Sequence, residues 1–246
     1  MAQYDSIATF YLDFIERNLA QETSVLNVAR QAILRLAGDV AGLRVCDVAC
    51  GEGHLTRAFA ANSAETTGVD FSAELLKQAR VKSAEVTYIH DDAQSLQKLH
   101  GQQFDLVTSN LALMDIPDLS ATFRAIAHIT KSGGRFIFSI LHPCFEAPFD
   151  ENNAPFELDD NENFVAARVN TYTNEGHWTS GGDGIRGRIG AHHRMLSTYI
   201  NELLAAGFIL ERLDEPTLPV GDYAHWSEQA LAVLPRALII SAKKSL

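Results

Sequence analysis

The densest group of residues able to do chemistry lies between Val45 and Leu55. There Val45-Cys46-Asp47-Val48-Ala49-Cys50-Gly51-Glu52-Gly53-His54-Leu55 reads as an apolar strand that runs into a turn of small residues and then into a helix. Small residues let a backbone approach a ligand closely, and the free N–H groups at a helix start favour negatively polarised groups. Two cofactor classes use such a turn. A dinucleotide site needs G-x-G-x-x-G, and starting that pattern at Gly51 and Gly53 puts Thr56 where the third glycine should stand, which weakens a nicotinamide oxidoreductase reading. Asp70 closes the run Thr67-Gly68-Val69-Asp70, where a carboxylate accepts hydrogen bonds from ribose hydroxyls in either class. Asp91 and Asp92 follow a third β-rich run, and His142, His177 and the pair His192-His193 offer imidazoles that titrate at about pH 6.5 when unperturbed.

The elements that must position these residues alternate. Helical spacing of apolar residues runs through Ile7 to Leu19 and Val25 to Leu36, with Gly38 and Gly42 as breaks. From Leu43 short β-rich runs alternate with amphipathic stretches, the pattern of parallel βαβ units. Strands are expected at Arg44 to Ala49, Glu65 to Val69, Val86 to His90, Phe104 to Ser109, Arg135 to Leu141, Phe208 to Leu213 and Arg236 to Ser241. Helices are expected near Gly53, after the cap Ser72, weakly after Ser95, from Leu119 to Thr130 and from Ser197 to Ala206. The fold class is therefore α/β, a seven-stranded, mostly parallel, doubly wound sheet with helices on both faces. One domain is expected over residues 1–246: opening helices in 1–40, a core in 41–143, an inserted segment in 144–196, and a closing helix and strand pair in 197–246. The insertion is acidic and Pro/Asn-rich, then aromatic and Gly-rich, and reads as a lid.

Lys plus Arg number 20 against 31 Asp plus Glu, a net charge of −11 that repels a phosphate backbone, so nucleic acid is not an expected partner. The three cysteines, Cys46, Cys50 and Cys144, have no zinc or disulfide spacing and fit a reducing cytoplasm. The opening MAQYDSIATFYLDF lacks the basic and apolar stretches of a signal peptide, and no apolar run reaches membrane-spanning length. The chain is expected to act as a monomer or homodimer on a small molecule.

Asp47-x-Ala49-x-Gly51-x-Gly53 resembles motif I of the class I S-adenosylmethionine-dependent methyltransferases, D/E-x-G-x-G-x-G, with Ala49 for the first glycine. The resemblance implies a Rossmann-like fold, S-adenosylmethionine as cofactor, and an Asp47 that organises the turn near the methionyl amino group. Thr67-Gly68-Val69-Asp70-Phe71-Ser72 is similar to the second-strand motif, which assigns Asp70 to the ribose and Phe71 and Leu75 to the adenine. His90-Asp91-Asp92-Ala93 resembles the family's Asp-Ala pair, which gives Asp92 the adenine amino group and the Ala93 amide a ring nitrogen. Phe104 to Leu113 looks like the fourth strand, whose end at Asn110 and Leu111 lines cofactor and acceptor. Lys131-Ser132-Gly133-Gly134 resembles a K/R-P-G-G turn with Ser for Pro. Taken singly, Asp47 reads as a cap, Asp70 as a turn residue and Asp92 as a surface acid. In this order at the ends of consecutive strands they mark the rim where open α/β sheets bind ligands.

On the acceptor side, in-line methyl transfer needs alignment and exclusion of water, and a base only if the acceptor keeps a proton. His142, directly after the fifth strand, reads either as that base or as a loop histidine ordering the chain before Pro143. His192 and His193 point to opposite faces of a strand, one toward the pocket and one toward the backbone, with Trp178 as an apolar wall; this spacing does not suit a metal. Tyr4 and Tyr11 lie in a segment that in many relatives folds over the cofactor, and Tyr11 reads equally as a core aromatic. An Asn/Asp-Pro-Pro-Tyr motif is absent, which argues against amide or nucleobase methylation. A methyltransferase-like protein that binds cofactor without catalysis is the remaining alternative.

Overall fold

The computed structural model describes residues 3–146, 148, 149, 155–169 and 171–246. Two helices open the chain, α1 (Ala8–Ala20) and α2 (Val25–Ala37), the second started by the Ser24 side chain, which accepts from the Asn27 amide at 3.1 Å. Five parallel strands follow: β1 (Arg44–Val48), β2 (Glu65–Asp70), β3 (Thr87–His90), β4 (Phe104–Asn110) and β5 (Thr130–Leu141). Between them lie α3 (His54–Ala61), α4 (Ala73–Lys82) and α5 (Leu119–Ile129), the last two capped by Ser72 and Asp118. In the insertion, β6 (Phe156–Leu158) pairs with β7 (Phe164–Ala167), and β8 (Gly176–Trp178) pairs with β9 (Ala191–His193) around the short helix α6 (Ile185–Arg188). The chain closes with α7 (Leu196–Ala205), β10 (Phe208–Asp214), α8 (Trp226–Val233) and β11 (Ala237–Lys244).

The sheet order is β10-β11-β5-β4-β1-β2-β3, with β11 and β10 antiparallel to the rest. Central strands are apolar on both faces because helices cover both. Phe123, Phe136, Phe138 and Phe208 fill the side under α5 and α7, while Ile33, Leu55, Phe59 and Ile239 fill the side under α2 and α3. The chain leaves β1 for β2 on one side and returns through β4 on the other, so the sheet parts at its carboxyl edge between β1 and β4, the place where ligands bind in such folds.

Two expectations change. The helix after Ser95 is a single 3-10 turn, Gln97–Leu99, because Leu96 adopts a left-handed backbone. The helix α8 was not expected, since only Ala230 and Leu231 of its eight residues are buried and no apolar period shows. Among the described residues no helix is long and apolar enough to cross a membrane.

Candidate functional site

The floor of the crevice is the β1–α3 turn. Ala49, Gly51 and Gly53 all have left-handed φ values of 56°, 56° and 81°. At Gly53 a Cβ would stand 2.4 Å from the Tyr88 hydroxyl, so both space and dihedral demand glycine. Ala49 holds its conformation at a cost of about 1 kcal/mol, strain of the kind stored at ligand sites. Beneath the turn Asp47 stands in register with Thr108 on β4. Its carboxylate accepts from Thr108 Oγ1 at 2.9 Å and from Thr56 Oγ1 at 2.7 Å, and burial pushes its pKa up to about 6 against those hydrogen bonds. Asp47 thus ties β1, α3 and β4 together while also facing the larger of two cavities.

Asp70 ends β2, where its Oδ2 accepts from the Gly51 amide and its Oδ1 from the Ser72 amide. Each oxygen keeps a second lone pair for a ligand, and burial raises this carboxyl's pKa. Phe71 beside it is 51% exposed, an apolar ring held over the crevice mouth, with Leu75 buried below. Asp92 and Ala93 line the same wall; the Asp92 carboxylate accepts from the Gln94 amide at 2.9 Å, and its own amide donates to Asp91 Oδ1. Opposite, Asn110 Oδ1 accepts from Ser139 Oγ at 2.7 Å, while its Nδ2 is buried without a partner among the described residues. Leu111 turns the chain away with φ 51°.

These residues enclose a cavity of about 300 Å³ between β1, β2 and β4, which adjoins one of about 990 Å³ reaching under the insertion and α8. Tyr4, Tyr11, Ala49, Asn110 and Leu111 border both. A glycine cradle, an acid with spare lone pairs, an exposed aromatic face and an orphaned amide donor in one small-molecule-sized cleft suit an adenosyl amino acid.

Two segments roof the crevice. Tyr4 and Tyr11 meet edge to face at 4.8 Å, and the Tyr4 hydroxyl donates to Asp115 Oδ2 at 2.8 Å. Arg186 of α6 ion-pairs with the other oxygen of Asp115, and Arg188 lies over the Phe10 ring at 4.4 Å, so amino terminus and insertion meet above the cleft. Burial raises the pKa of Asp115 and of both tyrosines. Asp115 was not expected, because it sits in an irregular turn whose sequence carries no pattern.

Of the acceptor-side candidates Tyr4 borders both cavities, whereas His142, His192, His193 and Trp178 line neither. His142 is 2% exposed; its Nε2 meets Glu215 Oε1 at 2.9 Å and its Nδ1 accepts from the Cys144 amide, so the ring orders the loop instead of facing a cavity. His193 is buried with Nε2 on the Tyr172 carbonyl at 2.8 Å, and His192 stacks edge to face on His177 across the β8–β9 ladder. Trp178 packs 5.1 Å from Phe149, which itself borders the larger cavity, so Trp178 stands one layer behind. Glu146, Phe149, Arg186, Trp226 and Arg236 are among the residues lining the larger cavity, and sequence patterning does not reveal them because α8 shows no apolar period and the loop after β5 has none. Among the described residues no group of three or more His, Cys, Asp or Glu is placed to hold a metal ion.

Residues 46–138 match a family described as a methyltransferase domain. An uncharacterized protein of Haemophilus influenzae is 28% identical over 229 residues, 88% of this chain and 87% of its own length. A ubiquinone biosynthesis O-methyltransferase of Serratia proteamaculans is 32% identical over 146 residues, 58% of this chain and 60% of that enzyme. The match to other enzymes of that name takes in about half of their length. In structure, an S-adenosylmethionine-dependent methyltransferase from Mesorhizobium loti is 28% identical with a TM-score of 0.68, covering 90% of this chain and 98% of that one. With a doubly wound sheet that opens beside a left-handed glycine turn, residues 46–138 form a methyltransferase domain, and the chain as a whole resembles the class I S-adenosylmethionine-dependent methyltransferases.

Proposed function

We propose that this enzyme methylates an oxygen of a small-molecule acceptor held in the larger cavity, with the cofactor's adenosyl part in the smaller one and its amino-acid end crossing the border toward Asp47. The single observation that carries this reading is the shared border at Ala49, Asn110 and Leu111, where a group from each cavity can meet. Oxygen is favoured over nitrogen by the likeness to the Serratia O-methyltransferase.

Asp70 would hold the ribose hydroxyls, Phe71 and Leu75 would flank the adenine, and Asp92 with the Ala93 amide would meet its polar edge. Asp47 and the unpartnered Asn110 amide would face the amino-acid end. Tyr4 and Tyr11 would close over the cofactor and exclude water. When bound, the cofactor would supply a methyl on a sulfonium, which an acceptor oxygen lone pair takes as the sulfur leaves as a thioether and the hydroxyl proton passes to solvent. The chain's own part is then alignment of two ligands across the border, which by itself supplies much of such a rate enhancement.

Calorimetric titration with S-adenosylhomocysteine tests the reading directly. Binding at one site per chain is expected; no binding, or release of a nicotinamide nucleotide from denatured protein, overturns it. Binding without methyl transfer across a broad panel of hydroxylated acceptors would leave a cofactor-binding protein that is not an O-methyltransferase.

A further inference from the structure

The larger cavity carries a charged pair that cofactor binding does not employ. Glu146, in the turn after β5, and Arg236, just before β11, both line its wall, with side chains only 8% and 15% exposed. Arg236 Nε donates to Glu146 Oε1 at 2.5 Å. The guanidinium lies against a pair of touching aromatic rings, 4.8 Å from the centre of Phe156 and 5.7 Å from that of Trp226. The backbone holds the pair equally firmly. His142 N donates to the Arg236 carbonyl at 3.0 Å, and the Glu146 amide donates to the His142 carbonyl at 2.8 Å. His142 therefore serves as the joint that places acid and base side by side.

Burying two charges is costly unless their remaining donors and acceptors are also satisfied. Here one N–H of the guanidinium fork and one carboxylate oxygen are engaged, and among the described residues no further hydrogen bond reaches either group. A half-used pair on a cavity wall fits a ligand that completes it. A hydroxyl does so in both directions, donating to the carboxylate and accepting from the guanidinium.

The charge balance narrows the ligand further. The cavity's other guanidinium, Arg186, is neutralised by Asp115 as Arg236 is by Glu146. Among the described residues no guanidinium on this wall is left over for an anionic ligand, and a ligand carboxylate placed here would face Glu146. Phe149 and Trp226 add flat apolar surface beside the pair. We propose that Glu146 and Arg236 form the acceptor subsite, recognising one hydroxyl of an uncharged hydroxylated aromatic molecule and rejecting its carboxylate counterpart. This assignment rests on the methyl transfer proposed above.

The test compares two probes on the full-length protein with S-adenosylmethionine: methyl 3,4-dihydroxybenzoate and 3,4-dihydroxybenzoate. The expected result for the wild type is a kcat/KM for the ester about tenfold or more above that for the acid. In Glu146→Gln the ester should lose roughly tenfold in KM, and the preference over the acid should shrink, while S-adenosylhomocysteine affinity by calorimetry stays as in the wild type. A wild-type preference for the acid overturns the assignment without reference to any variant. So does transfer to neither probe by a protein that binds S-adenosylhomocysteine, or an unchanged ester-to-acid ratio in folded Glu146→Gln. Failure of the wild type to bind S-adenosylhomocysteine sinks instead the methyl-transfer reading itself.

Discussion

The amide of Gly51 donates to Asp70 Oδ2 at 2.7 Å, so the glycine turn after β1 and the acid that ends β2 are one unit. The Ser72 amide holds the other oxygen at 2.7 Å, which also sets the start of α4. Asp70 therefore shapes the crevice before any ligand arrives.

Removing that carboxylate should have two effects. Asp70→Ala is expected to weaken S-adenosylhomocysteine binding by about 1–3 kcal/mol, through ribose hydroxyls left unpaired, and to lower the melting temperature through two amides left without an acceptor. Calorimetry and thermal unfolding on the same sample separate the effects. Unchanged affinity with a lowered melting temperature would leave Asp70 a structural role only.

The turn itself admits a steric test. Gly53→Ala should destabilise by about 2–4 kcal/mol, since a left-handed backbone and a clash with the Tyr88 hydroxyl act together. Ala49→Gly relieves strain at the same turn and should be neutral or stabilising by up to about 1 kcal/mol. Denaturant unfolding of both variants checks the contrast, and an equal response would show that the dihedral does not matter.

Closure of the roof depends on Asp115. Tyr4→Phe removes one hydrogen bond to it and should speed cofactor release, by about 0.5–1.5 kcal/mol, with little loss of global stability. Asp115→Ala leaves Arg186 half-buried without its acid and should cost about 3–5 kcal/mol of stability. Stopped-flow displacement of a fluorescent cofactor analogue and thermal melts read the two outcomes.

Two buried groups pull stability in opposite directions with pH. Asp47, lifted to about 6 by burial, makes the folded state bind more protons than the unfolded one from about pH 4 to 6. Stability from this group falls as pH rises through that window, by about 3 kcal/mol at most. His54, lowered to about 4 by burial, contributes stability present above its unfolded value of about 6.5 and lost as pH falls toward 4. Relative to the wild type, Asp47→Asn should therefore gain stability as pH rises from 4 to 6.5, and His54→Gln should lose it over the same interval. Urea unfolding at four pH values would expose either slope, and parallel curves for both variants would contradict the assignment.

Much of the fold is legible in the sequence. Alternating β-rich and amphipathic runs betray a parallel sheet because buried strands must be apolar on both faces, and all seven sheet strands lie where that pattern puts them. The candidate cofactor wall was legible too, since Asp47, Gly51, Asp70 and Asp92 sit at strand ends, where chain direction alone gathers them on one edge. The candidate acceptor wall was not. Glu146 meets Arg236 from 90 residues away, and Asp115 meets Arg186 from 71, through loops and short elements without periodicity. His142 shows the limit: its position after β5 suggested chemistry, but only packing decides which way a ring points, and here Glu215 and the Cys144 amide claim both of its nitrogens. Local patterning determines elements and their order, whereas side-chain partners across loops follow from the tertiary arrangement, because no local energy term encodes contacts between distant segments.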